Sequence, residues 1–324
     1  MAKNGGTFLS SGPVKLLLFL LVVSVLFTGG AYFLLYSATH PPRDRTRLDP
    51  ADLLLRTEEV TFHASDGVLL SGWLVKGVPR GPVIIMCHDL GGSRSALLSS
   101  GVSLNRDGYP LLLFDFRGHG LSSGSGGYLG VDEKRDILGA IEFLKTRSDV
   151  DSSRMGLWGI GMGAYAGILA AMDNPKIVAL VLDSLYPDVG AQMERLVRAK
   201  VPPALRFIMP ALHLMYRPYL ALRPKDSTSL LTALGGLTTR NVLLIAATEP
   251  PDRYQEEKAI YAALPEGPQG GKNLLELKAS VVTGLYAEEK KAYDRAIVRF
   301  FTANLPRNGG TKASPVKGLQ VLER

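Results

Sequence analysis

The 324-residue chain is 46% hydrophobic and 21% charged, which excludes a disordered or low-complexity protein. Its single cysteine excludes an intramolecular disulfide and any metal site built from several cysteines. The formal net charge is +7, but residues 1–56 and 305–324 contribute +3 each, so residues 57–304 carry a net charge of only +1. A nucleic-acid surface needs basic residues clustered within the fold, and this balance therefore predicts no nucleic-acid partner.

An apolar run without charged residues, residues 16–38, follows a short N-terminal tail at residues 1–15. As a helix rising roughly 1.5 Å per residue it is about 35 Å long, enough to cross a bilayer core of about 30 Å. A cleaved signal peptide is the alternative, although the run is longer than the apolar part of a usual signal. The pattern predicts a single-pass anchor and a membrane location, followed by a polar linker at residues 39–56. Basic residues flank the run on both sides, so the side of the globular part stays open.

Apolar strands alternate with amphipathic helices through residues 57–304. This alternation predicts an α/β fold with a mostly parallel sheet covered by helices on both faces. Residues 184–240 interrupt the alternation with short helical pieces and prolines, which predicts a helical cap, and residues 305–324 are predicted to be a disordered tail. The predicted strands are 58–63, 68–76, 83–87, 111–114, 155–158, 177–182, 242–246 and 274–282, and predicted helices lie within 95–106, 137–144, 164–172, 253–264 and 293–301.

Four short segments, in order along the chain, carry a family resemblance. They read Cys-His-Asp-Leu-Gly-Gly-Ser at 87–93, Asp-Phe-Arg-Gly-His-Gly-Leu-Ser-Ser-Gly at 115–124, Gly-Ile-Gly-Met-Gly at 159–163 and Val-Leu-Asp-Ser at 181–184. Together they resemble the α/β-hydrolase superfamily, in particular its serine esterase, lipase and aminopeptidase-like branch. The resemblance implies a nucleophile elbow, a cap over the site and a catalytic triad in the order Ser, Asp, His.

The chain departs from the family at all three triad positions. The elbow pattern Gly-x-Ser-x-Gly has Gly161 where the serine is expected. The acid position is Pro250, and the loop expected to carry the histidine has Leu285 or Tyr286 at that place. No histidine follows His213 in the sequence, so these catalytic positions are predicted to be degenerate.

Other polar residues near these positions are candidates for displaced catalytic groups, although each also fits a plainer role as a loop charge, loop hydroxyl or structural histidine. By the resemblance, the backbone N–H groups of Leu90 and Met162 form an oxyanion hole. The glycine-rich segments lack the P-loop and Rossmann spacings, so no cofactor is predicted, and no metal site is predicted either. The weak substitutes are Ser184, Glu249, Asp252 and His88, with Asp89 and Asp183 as further suspects.

The sequence therefore favours a membrane-anchored α/β-hydrolase-fold protein that lacks the Ser and His of the triad. It is predicted to be a non-catalytic or strongly impaired homologue of serine ester hydrolases that acts by binding a ligand or a protein partner. The apolar cap residues 201–216 fit an apolar or acyl ligand or the bilayer, and also fit simple packing onto the sheet. The alternative is an active carboxylic ester or thioester hydrolase that uses displaced catalytic residues.

Overall fold

The protein is described from a computed structural model, which defines residues 12–44, 49–126, 128–221, 230, 234–268, 272–279 and 287–307. The chain forms two compact units. One comprises Met1–Thr39 and Met193–Arg223, and the other comprises His40–Gln192 and Pro224–Arg324.

The second unit is built on a sheet in which the described residues form eight strands, in the order β1-β2-β4-β3-β5-β6-β7-β8. β2 pairs antiparallel with β1 and β4, and the remaining neighbours pair parallel. The strands are β1 (Thr57–His63), β2 (Leu69–Val75), β3 (Gly81–Cys87), β4 (Leu111–Phe114), β5 (Val150–Ile160), β6 (Ile177–Asp183), β7 (Asn241–Ala247) and β8 (Asn273–Leu277).

Helices cover both faces of this sheet. Side chains alternate across β5, so that Leu157 packs toward Gly167 of one helix while Trp158 packs against Tyr293 of another. Every residue of β3 and of β7 is buried, as expected for parallel strands covered on both sides. Among the described residues, the longer helices of this unit are α2 (Leu98–Arg106), α3 (Lys134–Lys145), α4 (Met162–Asp173), α7 (Pro251–Ala263) and α8 (Ala287–Asn304).

The first unit contains α1 (Gly12–Thr39) and α6 (Met209–Ala221), which contact each other. α5 (Val189–Lys200) contains residues of both units, because the division along the chain falls within it. α1 is long and apolar enough to cross a membrane.

The predicted fold class is confirmed, with differences in the extent of elements. β5 begins at Val150 instead of 155, because its polar first residues pair with β3 around Pro82, where the register shifts. The last strand ends at Leu277 rather than 282. The helix predicted from 95 is divided into a 3-10 helix, Arg94–Leu97, and α2. Of the tail predicted at residues 305–324, residues 305–307 are described and Leu305 is buried, whereas residues 308–324 lie outside the described residues.

Candidate functional site

The turn from β5 into α4 has the backbone geometry of a nucleophile elbow. Gly161 has φ 51° and ψ −111°, a conformation that L side chains rarely adopt, and α4 begins at the next residue. Its N–H donates to the carbonyl of Asp183 at 2.9 Å, which fixes the turn to the end of β6. The flanking glycines are required by packing, because a Cβ at Gly159 would overlap the backbone of α4 and one at Gly163 would overlap the carbonyl of Cys87.

The space beside Gly161 is filled by the carboxyl group of Asp89. A Cβ built on Gly161 would overlap that carboxyl group. Asp89 Oδ1 accepts a hydrogen bond from the backbone N–H of Met162 at 2.8 Å. Of the two N–H groups that the resemblance assigns to an oxyanion hole, that of Met162 is therefore occupied by a carboxylate of the same chain.

Burial raises the pKa of Asp89, while the N–H groups of Met162 and Leu90 and the charge of Arg253 oppose this rise. The charge-assisted hydrogen bond from the Met162 N–H holds this carboxylate at the start of α4.

A second buried carboxylate, Asp183, lies at the end of β6, directly behind the elbow. Its Oδ1 accepts from the Ser184 hydroxyl at 2.9 Å and its Oδ2 from the Tyr293 hydroxyl at 2.7 Å. Burial raises the pKa of Asp183 to about 6, against the opposing effects of both hydroxyls. Ser184 is itself buried and has a left-handed φ of 57°. Its hydroxyl is therefore directed at Asp183 and is not presented to solvent.

Arg253, from the first turns of α7, lies among three carboxyl groups. Its Nε donates to Glu257 Oε1 at 3.3 Å, and its Nη2 donates to the carbonyl of Ser184 at 3.1 Å. Its charge also opposes the raised pKa of Asp89 and of Asp183. Glu257 is fully buried, accepts the N–H of Ala247 at 3.0 Å and has its pKa raised by burial to about 7. The carboxyl ends of β3, β6 and β7 thus meet in an acidic cluster formed by the half-buried Asp89 and the buried Asp183 and Glu257.

Both histidines near the site are held by backbone groups. His88 Nε2 accepts the N–H of Phe116 at 3.1 Å, so Nδ1 carries the proton and donates to the carbonyl of Asp89 at 2.7 Å. Burial lowers the pKa of His88 to about 3, which keeps the ring neutral. His119 Nε2 accepts the N–H of Gly91, and its Nδ1 donates to the carbonyl of Arg117 at 2.8 Å. Each ring braces a loop through both of its nitrogens.

The chain that follows α1 lies against two loops that border the site. Arg43 donates to the carbonyls of Ser122 at 2.6 Å and Gly124 at 2.8 Å. Asp44 accepts from the Ser93 hydroxyl at 2.9 Å. Residues 41–44 are in this way fixed to the loops after β3 and β4.

Comparison with known proteins identifies the family. The family described as Hydrolase_4, serine aminopeptidase S33, matches residues 78–247, just over half of the 324 residues. The chain belongs to this α/β-hydrolase family. Among solved structures of this fold, the Pyrococcus furiosus esterase Pf2001 has a TM-score of 0.62 at 23% identity, covering 82% of this chain and 99% of the esterase. At that identity the likeness concerns the fold alone.

Curated relatives match over a shorter region. The α/β-hydrolase domain-containing protein WAV2 of Arabidopsis thaliana is 29% identical over 146 residues, 44% of this chain and 47% of WAV2. The thiohydrolase aneE of Aspergillus aculeatus is 30% identical over 150 residues, 42% of this chain and 47% of that protein. The chain spans about half the length of these relatives.

The structure separates the remaining candidate residues of this α/β-hydrolase. Glu249 is exposed, with its nearest cation 4.0 Å away at Lys278, and Asp252 is exposed at the start of α7. Pro250 directly precedes that helix. Leu285 and Tyr286 lie outside the described residues. Ser184 and His88 lie at strand ends near the elbow, where their hydrogen bonds hold them as described above.

Sequence reasoning named Asp89 and Asp183 only as suspects and did not place Asp89 at the elbow. The sequence feature that could have indicated this position was glycine at 161 together with an acidic residue two positions after the end of β3. Glu257, Arg253 and Tyr293 were missed, because they come from two helices distant in sequence. Within the described ranges no group of three or more His, Cys, Asp or Glu side chains is arranged to hold a metal ion.

Proposed function

We propose that this protein is a membrane-anchored α/β-hydrolase-fold protein that binds a ligand or a protein partner at the former catalytic site and does not hydrolyse esters. The observation that carries the proposal is the position of Asp89. Its carboxylate accepts the N–H of Met162 at 2.8 Å and fills the space of a side chain at Gly161. A tetrahedral intermediate could place its oxyanion against the N–H of Met162 only by displacing Asp89.

Proton transfer supports the same proposal. A serine or cysteine nucleophile needs a base within hydrogen-bond reach, and histidine usually supplies it. His88 and His119 have both nitrogens engaged by backbone groups, and no histidine follows His213 in the sequence. Catalysis falls by orders of magnitude when a single triad member is lost, and here two members are absent together.

The ligand proposed for the capped site is apolar or acyl. Relatives named thiohydrolase and esterase act, by their names, on ester-like bonds, and a fold that has kept its scaffold can keep affinity for the acyl group of such compounds. The same names support the alternative, an active carboxylic ester or thioester hydrolase. For that alternative the Ser184 hydroxyl, 2.9 Å from Asp183, is the side chain to test.

Turnover assays on the full chain in detergent micelles separate these two functions. We expect no hydrolysis of p-nitrophenyl acetate, p-nitrophenyl octanoate or an acyl-CoA thioester above the rate of a Ser184→Ala variant, and saturable binding of a fluorescent fatty acid. Turnover that is abolished by Ser184→Ala would overturn the non-catalytic proposal and support the hydrolase.

Membrane anchoring is the second part of the proposal. α1 is 28 residues long, about 42 Å at roughly 1.5 Å per residue, and has no charged residue from Leu16 to its end. We expect the full chain with an N-terminal epitope tag to stay in the membrane pellet after alkaline carbonate extraction and to retain the tag. Loss of the tag with release of the body would instead identify a cleaved signal sequence.

A further inference from the structure

The cap segment carries an exposed apolar stripe. It comes from a 3-10 helix, Pro203–Ile208, and the first turns of α6. Phe207 is 76% exposed and Leu214 is 70% exposed, and Pro210 and Ala211 between them are also exposed. These four residues follow the spacing i, i+3, i+4, i+7, which places them on one side of a helix. The opposite side is the buried one, with Met209 and Leu212. An amphipathic helix in contact with water alone would present polar residues on its exposed side.

The sequence around this stripe is mainly basic, and Glu194 of α5, 3.0 Å from Arg198 and 3.9 Å from His213, is the acidic residue next to it. Residues 195–225 contain seven basic residues and no acidic residue. Among them Lys200 and Arg206 are exposed and lie on either side of the start of the 3-10 helix. The net charge of residues 57–304, only +1, conceals this stretch, because acidic residues elsewhere in the body balance it. An exposed apolar stripe bordered by cations is the pattern of a surface that lies in the interface of an anionic bilayer. An exposed apolar stripe would not contribute to the binding of a nucleic acid.

The stripe also belongs to the same compact unit as the apolar helix. Met1–Thr39 and Met193–Arg223 form that unit, and α6 contacts α1 within it. The side chains of residues 16–26 of α1 are exposed, and no acidic residue occurs in α1. If α1 lies in a bilayer, α6 is carried next to the bilayer as well.

We infer that the cap face formed by Leu205, Phe207, Pro210, Ala211 and Leu214 inserts into the interface of an anionic membrane, while Lys200 and Arg206 contact lipid phosphates. This inference rests on the membrane anchoring proposed above. The face would lie about 5–10 Å deep, at the boundary between headgroups and acyl chains. Phe207 is the most exposed of its large apolar residues and therefore makes the largest new contact with lipid.

Depth-dependent fluorescence quenching tests the inference on the full chain in nanodiscs of phosphatidylcholine and phosphatidylglycerol. Cys87 is the single cysteine and is buried, so a polarity-sensitive thiol probe can be placed at Phe207→Cys or Leu214→Cys. Glu142→Cys, whose native side chain is 66% exposed on α3, is the control on the body, and Leu21→Cys reports on α1. All of these positions are exposed, so the labels should not disturb folding.

We expect brominated lipids to quench the probes at 207 and 214 at least about twofold more than the probe at 142, with a blue-shifted emission. Equal quenching at 207, 214 and 142, with strong quenching at 21, would overturn the membrane contact of the cap and leave the anchor standing. An unquenched probe at 21 would overturn the anchor itself. Unquenched cap probes together with disulfide-linked dimers of unlabelled Phe207→Cys chains would assign the face to a second copy and overturn the inference.

Discussion

At the scale of single residues, Gly161 and Asp89 form a matched pair. The turn has the backbone conformation of a nucleophile elbow, and the acid from the neighbouring strand end occupies the space beside Gly161. The pair explains why the N–H of the buried Met162 has an acceptor.

Restoring serine at residue 161 tests this pairing. Gly161→Ser places a side chain on a residue with φ 51° and against Asp89, so we expect it to lower the free energy of unfolding by at least about 2 kcal/mol. Adding Asp89→Gly should recover half or more of the loss, which is a coupling between the two sites of about 1 kcal/mol or more. Urea unfolding in micelles, followed by tryptophan fluorescence, measures both values.

The control for that cycle is Gly235→Ser, because a Cβ at Gly235 meets open space. Its effect should add to that of Asp89→Gly without coupling. Full stability of the Gly161→Ser single variant would contradict the arrangement of Asp89 beside the elbow.

The raised pKa of Asp183 predicts that the stability of the protein depends on pH. Its folded pKa of about 6 exceeds the usual aspartate value of 3.8, so its protonated form is favoured in the folded protein. The resulting stabilisation is complete below about pH 4 and is lost as the pH rises through 6. Asp183→Asn should therefore lose less stability between pH 4 and pH 7 than the native chain, by up to about 3 kcal/mol. Glu142→Gln, an exposed change, should leave the native profile unaltered, and identical slopes for Asp183→Asn and the native chain would refute the assignment.

At the scale of elements, the elbow depends on how closely β3, β5 and α4 approach. Leu157 contacts Gly167 on one side of β5, while Gly163 brings the start of α4 against the end of β3. This close packing holds the N–H of Met162 toward Asp89 and requires residues without a Cβ at 159 and 163.

Gly163→Ala tests this packing. A Cβ there would overlap the carbonyl of Cys87, and separating α4 from β3 should cost about 1–3 kcal/mol. Thermal unfolding should show a lower midpoint for Gly163→Ala and an unchanged midpoint for Gly236→Ala. At Gly236 the nearest atom to a Cβ is 3.6 Å away on the flexible Met172 side chain, so the matched control introduces no overlap. Equal midpoints for the two variants would contradict the role of this contact.

The apolar strands and the glycine spacing made the fold predictable from the sequence. Runs such as 83–87 and 242–246 have few alternatives to buried parallel strands, and the elbow glycines fall where packing demands them. The position of Asp89 was not predictable, because a carboxylate after a strand reads equally as a loop charge. Its location follows only from the contact between Asp89 and Gly161, which are 72 residues apart in sequence. The positions of Arg253 and Tyr293 were not predictable for the same reason, since long-range contacts place them in the acidic cluster.

At the scale of the whole molecule, the net charge of +7 divides into distinct parts. The ends of the chain carry most of it, and residues 195–225 carry a basic stretch that acidic residues of the body offset. The net charge of a whole domain therefore does not reveal a local basic surface. The exposed apolar residues beside the basic stretch indicate where that surface lies.

We propose that Asp89 fills the oxyanion-hole position of this α/β-hydrolase fold and that the fold carries no activated nucleophile. Treatment of the full chain in micelles with a fluorophosphonate probe, followed by intact-mass and peptide mass spectrometry, tests the claim most directly. We predict no adduct on the native chain under conditions that label an active serine esterase to completion. A stoichiometric phosphonate adduct mapped to Ser184, or to any other side chain around the elbow, would contradict it.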